Sequence, residues 1–232
     1  MRAISVIVFA SPKGGAGKST SAVVLACELA AGGRKVTIID ADPNRPVSLW
    51  ARLPGKPDAL AVIEDATEDT IITSIENAAA TSAYVIVDLE GTATMLVAYA
   101  ISRADLVIIP SQPSQLDAAQ AAKAIRLVKK QELAFKIPIP MAVLFTRSNA
   151  AIRTRDQRWI EDSMEQNAVP VFKVNLVERA AYKGLFKYGG TLTSLDPRLV
   201  NGIPAAIENA RAFAVEVVSM LKAPANAPAK VA

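Results

Sequence analysis

The sequence predicts an α/β protein built on a single doubly wound, mostly parallel β-sheet with helices on both faces, a Rossmann-like three-layer arrangement. Apolar runs rich in Val and Ile alternate with helical patterns along the chain, and this order is typical of parallel sheets covered on both sides. A length of 232 residues suits one such domain and is too short for two. We therefore expect one domain over residues 1–222, followed by a disordered Pro/Ala-rich tail at 223–232.

Six segments predict buried strands because they are nearly continuous in apolar, mostly β-branched residues. The predicted strands are 4–10, 35–40, 83–89, 105–110, 140–146 and 169–174. The first apolar run is too short for a convincing signal peptide and leads directly into a glycine-rich loop, which favours a strand.

Helical patterns separate the strands. The predicted helices are 18–32, 67–80, 92–103, 115–131, 153–167 and 203–222. The last helix carries one apolar stripe, and its polar face has a single late cation, Lys222, which favours packing on the sheet over a membrane surface. The stripe consists of Ile203, Ile207, Ala210, Phe213, Val217 and Leu221.

The composition limits the chemistry that the chain can perform. There is no histidine, which excludes histidine-based triads and the usual zinc sites. The one cysteine, Cys27, lies in a helical pattern among apolar neighbours, so we expect a core residue of a cytoplasmic protein. No apolar run reaches the eighteen or so residues that would span a bilayer.

The stretch SPKGGAGKST, residues 11–20, follows the first predicted strand and opens the first predicted helix. It nearly matches the phosphate loop G-x-x-x-x-G-K-[ST], with Pro12 at the first glycine position. Such a loop binds phosphate through its backbone N–H groups, while Lys18 reaches the terminal phosphates and Ser19 binds Mg²⁺. The predicted nucleotide-binding residues of the loop are Gly14, Gly15, Ala16, Gly17, Lys18, Ser19 and Thr20.

Three aspartates follow buried strands. Asp40 and Asp42 lie in IIDADPNRP at the end of the second predicted strand, and Asp88 ends the third. Because the carboxyl ends of parallel strands meet at one edge of a sheet, these carboxylates should lie near the phosphate loop. The sequence therefore predicts a nucleoside triphosphate with magnesium as the ligand.

These motifs resemble those of the ParA/MinD ATPases, whose deviant phosphate loop reads K-G-G-x-G-K-[ST]. The segment DADPN resembles the D-x-D-P motif of that family, and the order of strands fits over roughly residues 3–222. The resemblance implies an ATP-dependent homodimer in which Lys13 reaches the phosphates bound by the other subunit. It also implies that Asp42 orients the attacking water, that Asp40 supports Mg²⁺, and that Asp88 completes the metal shell.

Within that family, DADPNRPVSLW resembles the VirC-type proteins of plasmid DNA transfer regions. Two loops depart from commoner members. After Asp88 the chain reads LEGTAT where segregation ATPases usually have a proline-containing loop, and Thr146-Arg147 replaces Asn-Arg or Asn-Lys after the predicted strand 140–146. Both departures are expected near the nucleotide, so we include Thr146 and Arg147 among its candidate contacts.

A basic half supplies a candidate DNA-binding surface. Residues 123–188 contain thirteen Lys or Arg and six acidic residues, and pairing two chains would double the cations available to DNA phosphates. The candidate DNA contacts are Arg153, Arg155, Arg158, Lys173, Arg179, Lys183 and Lys187.

The resemblance implies a weak Mg²⁺-dependent ATPase that binds double-stranded DNA non-specifically, associates with the nucleoid and positions cargo in plasmid partition or conjugative transfer. A partner protein encoded nearby is expected to stimulate hydrolysis, and no membrane contact is expected. Two alternatives stay open. One is a MinD-like ATPase that positions a protein cluster or acts at a membrane surface; the other, more distant, is an ATP-dependent ligase of the cobyrinate/dethiobiotin synthetase type.

Overall fold

The computed structural model describes residues 4–91, 94–148 and 155–222. Its strands are β1 (Ser5–Phe9), β2 (Val36–Ala41), β3 (Leu60–Ile63), β4 (Tyr84–Leu89), β5 (Leu106–Ser111), β6 (Met141–Ser148) and β7 (Leu176–Val177). They form one parallel sheet in the order β3-β2-β4-β1-β5-β6-β7. The predicted fold class is confirmed.

Helices cover both faces of this sheet. They are α1 (Lys18–Ala31), α2 (Pro46–Ala51), α3 (Ile71–Thr81), α4 (Met95–Ser102), α5 (Gln115–Phe135), α6 (Arg155–Gln166), α7 (Ala180–Tyr188) and α8 (Ile203–Lys222). One apolar core lies between the sheet and α1, α2, α7 and α8, and a second lies under α3, α4, α5 and α6. This gives the three layers that the sequence predicts.

The last helix, α8, which the sequence predicts to pack on the sheet, packs mainly against α1 and also contacts strand β7. Ile203, Ala210, Phe213 and Val217 are buried in the first core. Among the described residues, no helix combines the length and hydropathy needed to cross a bilayer. Residues 223–232, predicted to be a tail, lie outside the described residues.

The predicted strand at 169–174 is wrong in position. Only Val171 makes an isolated bridge, to Val143, and the paired strand β7 lies at Leu176–Val177. Pro170 has no N–H to donate, and the N–H groups of Lys173 and Val174 donate to the Glu216 carboxylate on α8, at 2.8 and 2.9 Å. The sequence patterns also missed β3, α2 and α7.

The strand register brings the acidic strand ends together. Asp40 on β2 lies opposite Asp88 on β4, and Asp88 lies opposite Phe9 on β1. The loop after β1 therefore begins beside both carboxylates. This edge of the sheet carries the candidate site.

Candidate functional site

The loop between β1 and α1 has the backbone of a phosphate cradle. Gly15 and Gly17 adopt φ angles of 75° and 96°, which side-chain-bearing residues rarely adopt, and Gly17 caps the N-terminus of α1. Helix N-termini present free N–H groups and the positive end of the helix dipole. The loop and helix together have a geometry suited to binding an anion.

Lys18, the first residue of α1, lies beneath this loop and is 5% exposed. Its Nζ lies 3.4 Å from the carbonyl oxygens of Ser11 and Lys13. Burial lowers the pKa of Lys18, and the negative charges of Asp88, Asp42 and Glu90 oppose that shift. A bound phosphate would stabilise the ammonium further, because an anion at the loop favours the charged form.

Asp88 is completely buried at the end of β4, and within the described residues neither of its carboxylate oxygens has a hydrogen-bond partner. Burial raises the pKa of Asp88 to about 7, and the nearby Ser19 hydroxyl and Lys18 charge act against that rise. A buried carboxylate without partners is costly unless a cation binds it. The Asp88 carboxylate is therefore suited to binding a metal ion, directly or through a metal-bound water.

Asp40 is also buried, but one of its two carboxylate oxygens is hydrogen-bonded by helix α2. Its Oδ2 accepts hydrogen bonds from the backbone N–H and the hydroxyl of Ser48, both at 2.7 Å, whereas Oδ1 has no partner among the described residues. Burial raises the pKa of Asp40, and the Ser48 hydrogen bonds counteract the rise. One oxygen thus stays free beside Asp88.

Asp42 lies in the turn that follows β2. Its Oδ1 accepts hydrogen bonds from the backbone N–H and the side-chain amide of Asn44, at 2.8 and 2.9 Å. It lines a cleft of about 390 Å³ together with Asp40 and Glu90. A water in this cleft could reach the Asp42 carboxylate.

The donor set fits magnesium bound together with phosphates. Within the described ranges, no group of three or more His, Cys, Asp or Glu residues is arranged to hold a metal. Magnesium is usually held by one or two carboxylates with substrate phosphates and water. Ser19, Asp40 and Asp88 supply one hydroxyl and two carboxylates, of which three oxygens have no hydrogen-bond partner in this part of the chain.

Lys13, the additional lysine of the loop, pairs with α5 of its own chain. Its Nζ lies 2.9 Å from Asp117 Oδ2; the Lys13 side chain is 38% exposed and the Asp117 side chain 4%. Asp117 also accepts a hydrogen bond from the Ser114 hydroxyl, which caps the N-terminus of α5. A partly exposed ammonium, that of Lys13, is thus paired with the buried carboxylate of Asp117.

A second cavity, of about 250 Å³, lies between the start of α1, the end of β6 and α7. Its walls are mostly apolar and include Tyr182 and Phe186. Arg147 lines it with φ 51° at an irregularity in the β6–β7 pairing. Thr146 also borders the cavity, but its hydroxyl donates to the Ala16 carbonyl oxygen at 2.7 Å.

The candidate DNA contacts divide into separate groups. Arg155 and Arg158 are exposed on α6, and Lys173 is exposed before β7. Arg179 and Lys183 line the 250 Å³ cavity, and Lys183 forms a 2.7 Å ion pair with Glu178.

The remaining two candidate DNA contacts are Lys187 and Arg153. Lys187 lies over the Tyr188 ring, 5.0 Å from its centroid, and Arg153 lies outside the described residues. Of the candidate DNA contacts, Arg155 and Arg158 on α6 are exposed and have no ion-pair partner among the described residues.

Sequence patterns missed Ser48, Gln112 and Asp117, which contact site residues from other elements. The spacing Ser114-x-x-Asp117 at the start of α5 is a recognisable capping pattern and could have identified Asp117. Nothing local identifies Gln112, because its partner, the Gly15 carbonyl, is 97 residues away.

The chain's one cysteine is not a plausible nucleophile. Cys27 is 5% exposed in α1, and burial raises its pKa to about 12. At neutral pH its thiol is therefore protonated and inaccessible. This confirms the prediction of a core residue and does not favour a cysteine-dependent amidotransferase.

Comparison with known proteins places the chain in a family. The model of the VirC1 protein family matches residues 4–220. The protein ParA of Rhizobium radiobacter is 45% identical over 216 residues, covering 93% of this chain and 97% of that protein. The protein virC1 of Rhizobium rhizogenes is 29% identical over 232 residues, covering 94% and 96%.

Solved structures share the fold at lower sequence identity. An ATP complex of a Cyanothece McdA variant superimposes with a TM-score of 0.72 at 19% identity, covering 93% of this chain and 97% of that chain. The septum site-determining protein MinD of Pyrococcus horikoshii, complexed with Mg-ADP, gives a TM-score of 0.71 at 15% identity, covering 94% and 98%.

Proposed function

The chain belongs to the VirC1 family, within the ParA/MinD group of ATPases, and from this membership we propose that it is a Mg²⁺-dependent ATPase acting as an ATP-dependent dimerisation switch. One observation carries the proposal. The glycine loop and buried Lys18 lie at the same sheet edge as Asp40 and Asp88, whose free oxygens suit a metal. That combination matches the needs of a nucleoside triphosphate with magnesium.

The phosphates would bind the N–H groups of the loop residues, with Lys18 beneath the terminal phosphates. Ser19, Asp40 and Asp88 would hold Mg²⁺, directly or through water, and the ion when bound supplies positive charge to the phosphate oxygens. The McdA and MinD relatives complexed with ATP and Mg-ADP support this assignment of ligands.

Hydrolysis would use the cleft beside Asp42. Asp42 is held by Asn44 at the cleft wall, so its carboxylate can accept a hydrogen bond from an attacking water. We assign Asp42 the positioning of that water, and Lys13 the neutralisation of charge on the phosphates of the partner chain. A slow turnover is sufficient, because hydrolysis serves to reset the dimer.

The dimer would be the form that binds DNA. Arg155 and Arg158 are exposed on α6, and two chains double the number of such cations facing the phosphates of a duplex. Binding of this kind is non-specific and supports nucleoid association. The cargo would be a plasmid or a DNA-transfer complex, and a partner protein would stimulate hydrolysis.

Calorimetry and size measurement test the proposal together. We expect ATP to bind with much higher affinity in the presence of Mg²⁺ than with EDTA, and MgATP to convert the monomer to a dimer in light scattering. ADP should bind without producing the dimer. Absence of ATP binding by the purified chain at millimolar nucleotide would overturn the proposal.

A further inference from the structure

Two side chains outside the phosphate loop hold its carbonyl oxygens. The Thr146 hydroxyl, at the end of β6, donates to the Ala16 carbonyl at 2.7 Å. The Gln112 side-chain amide, just after β5, donates to the Gly15 carbonyl at 3.2 Å. The loop is therefore fixed from the sheet at two consecutive peptide groups.

Holding a carbonyl also fixes the direction of the next N–H. In a planar trans peptide, the C=O of one residue and the N–H of the next point in opposite directions. The hydrogen bond to Gly15 therefore orients the N–H of Ala16, and the hydrogen bond to Ala16 orients the N–H of Gly17. Backbone N–H groups of such loops are the ones that bind phosphate oxygens.

Thr146 is well suited to this role because its own position is rigid. It is 3% exposed, and its hydroxyl also lies 3.4 Å from the Ser111 carbonyl of the neighbouring strand β5. A Cβ at Gly17 would lie 3.2 Å from the Thr146 side chain, so the loop already packs against it closely. Gln112 is more exposed and its hydrogen bond is longer, which makes its contribution the smaller one.

We propose that Thr146 is a positioning residue for phosphate binding, which orients the Gly17 N–H through the Ala16 carbonyl, and that Gln112 does the same for the Ala16 N–H. This inference rests on the proposed binding of ATP. It gives Thr146 a different role from the direct nucleotide contact expected from its sequence position. The Thr146 side chain acts on the phosphates through the loop and needs no contact with the nucleobase.

Substitution of Thr146 by Val and by Ser tests this role. Thr146→Val keeps the shape but removes the donor, and Thr146→Ser keeps the donor. We expect Thr146→Val to weaken ADP and ATP binding about tenfold, as for one lost buried hydrogen bond, and Thr146→Ser to restore most of the affinity. The ³¹P resonance of the β-phosphate of bound ADP should shift relative to wild type in Thr146→Val but not in Thr146→Ser.

Gln112→Ala provides a second variant at a less buried position. We expect it to weaken ADP binding by about threefold with a change in the same ³¹P resonance. Unchanged affinity and unchanged ³¹P shift in a folded Thr146→Val would overturn the inference, as would weakened affinity with an unchanged β-phosphate resonance. If Thr146→Val fails to fold, an unaltered β-phosphate resonance in Gln112→Ala decides against it. Failure of the wild-type chain to bind ATP would instead contradict the proposed function.

Discussion

Lys13 Nζ lies 2.9 Å from Asp117 Oδ2 within the same chain, so the additional lysine of the phosphate loop is bound to the N-terminal turn of α5. The proposed dimer requires Lys13 to exchange this carboxylate for the phosphates of the partner chain. Asp117 is almost fully buried, and losing its cation leaves a buried charge without its ion-pair partner. The intrachain pair would therefore oppose the proposed dimerisation until ATP is bound in both chains.

Asp117→Asn should make dimerisation easier. The amide removes the ion pair and leaves no charge behind when Lys13 moves. Because the dimer breaks two such pairs, one in each chain, we expect its dissociation constant with MgATP to fall about thirtyfold, equivalent to about 1 kcal/mol for each partly exposed pair. Sedimentation velocity over a concentration series measures the change. Asp196→Asn, which alters an exposed pair with Arg198, is the matched control. Weaker dimerisation in Asp117→Asn would contradict an opposing role.

Asp88→Asn should stabilise the nucleotide-free protein while removing its Mg²⁺ dependence. The pKa of Asp88 is raised from 3.8 to about 7 by burial, so the folded state disfavours the charged form. The resulting cost appears as pH rises above 3.8 and is complete above about 7, where it reaches about 4 kcal/mol at most.

Thermal unfolding at several pH values measures this effect. We expect Asp88→Asn to melt well above wild type at pH 8 and close to it at pH 4, both without nucleotide. In calorimetry the variant should lose the gain in ATP affinity that Mg²⁺ gives the wild type. An equal melting difference at both pH values would contradict the assignment of a buried, charged Asp88.

Ser48→Ala should destabilise the fold through Asp40. The Ser48 hydroxyl donates to Asp40 Oδ2 and lowers the pKa of that carboxyl against the effect of burial. Its loss raises the pKa further, so the free energy of unfolding at pH 8 should fall by about 2 kcal/mol. Urea unfolding measures the loss, with Ser219→Ala on the exposed side of α8 as control. A loss no larger than that of the control would rule out this support of Asp40.

Arg155→Ala and Arg158→Ala should weaken DNA binding without affecting ATP binding. Each lost phosphate contact makes the slope of log affinity against log salt concentration less steep. The slope should fall by about one for each substituted side chain that contacts DNA, and so by about two per dimer. Fluorescence anisotropy with duplex DNA and MgATP, from low to moderate salt, measures this slope.

Arg198→Ala is the control for the DNA experiment, because its guanidinium is already engaged by Asp196. The control should leave both affinity and slope unchanged. Wild-type DNA binding that is equally strong without nucleotide would contradict the switch, and an unaltered slope in both α6 variants would place the DNA contacts elsewhere.

Much of this architecture could be predicted because its signals are local. Continuous Val and Ile runs indicated the central strands, and the glycine loop between β1 and α1 indicated the phosphate site. Pro46 at the first position of α2 was an available signal for that short helix, but six residues give too little periodicity. The short edge strands β3 and β7 carry equally weak patterns.

The features that could not be predicted depend on distant contacts. The segment 169–174 is a nearly continuous apolar run suited to a strand, yet two of its N–H groups donate to Glu216 from α8. In the same way, Lys13 pairs with Asp117, 104 residues away in the sequence, and the Thr146 hydroxyl donates to the Ala16 carbonyl, 130 residues away. Residue type identified the lysine and the loop, but only the fold shows their partners.

The central claim is that Lys13 acts on the phosphates bound by the partner chain. The most direct test compares nucleotide binding and dimerisation of Lys13→Ala and Lys18→Ala with MgATP. We expect Lys18→Ala to lose most ATP affinity, because Lys18 is proposed to lie beneath the phosphates bound by its own chain. Lys13→Ala should keep ATP affinity within a few-fold of wild type, yet remain monomeric in light scattering and lose turnover. Equal loss of ATP affinity in both variants, or an ATP-dependent dimer of Lys13→Ala, would contradict the action of Lys13 on the partner chain.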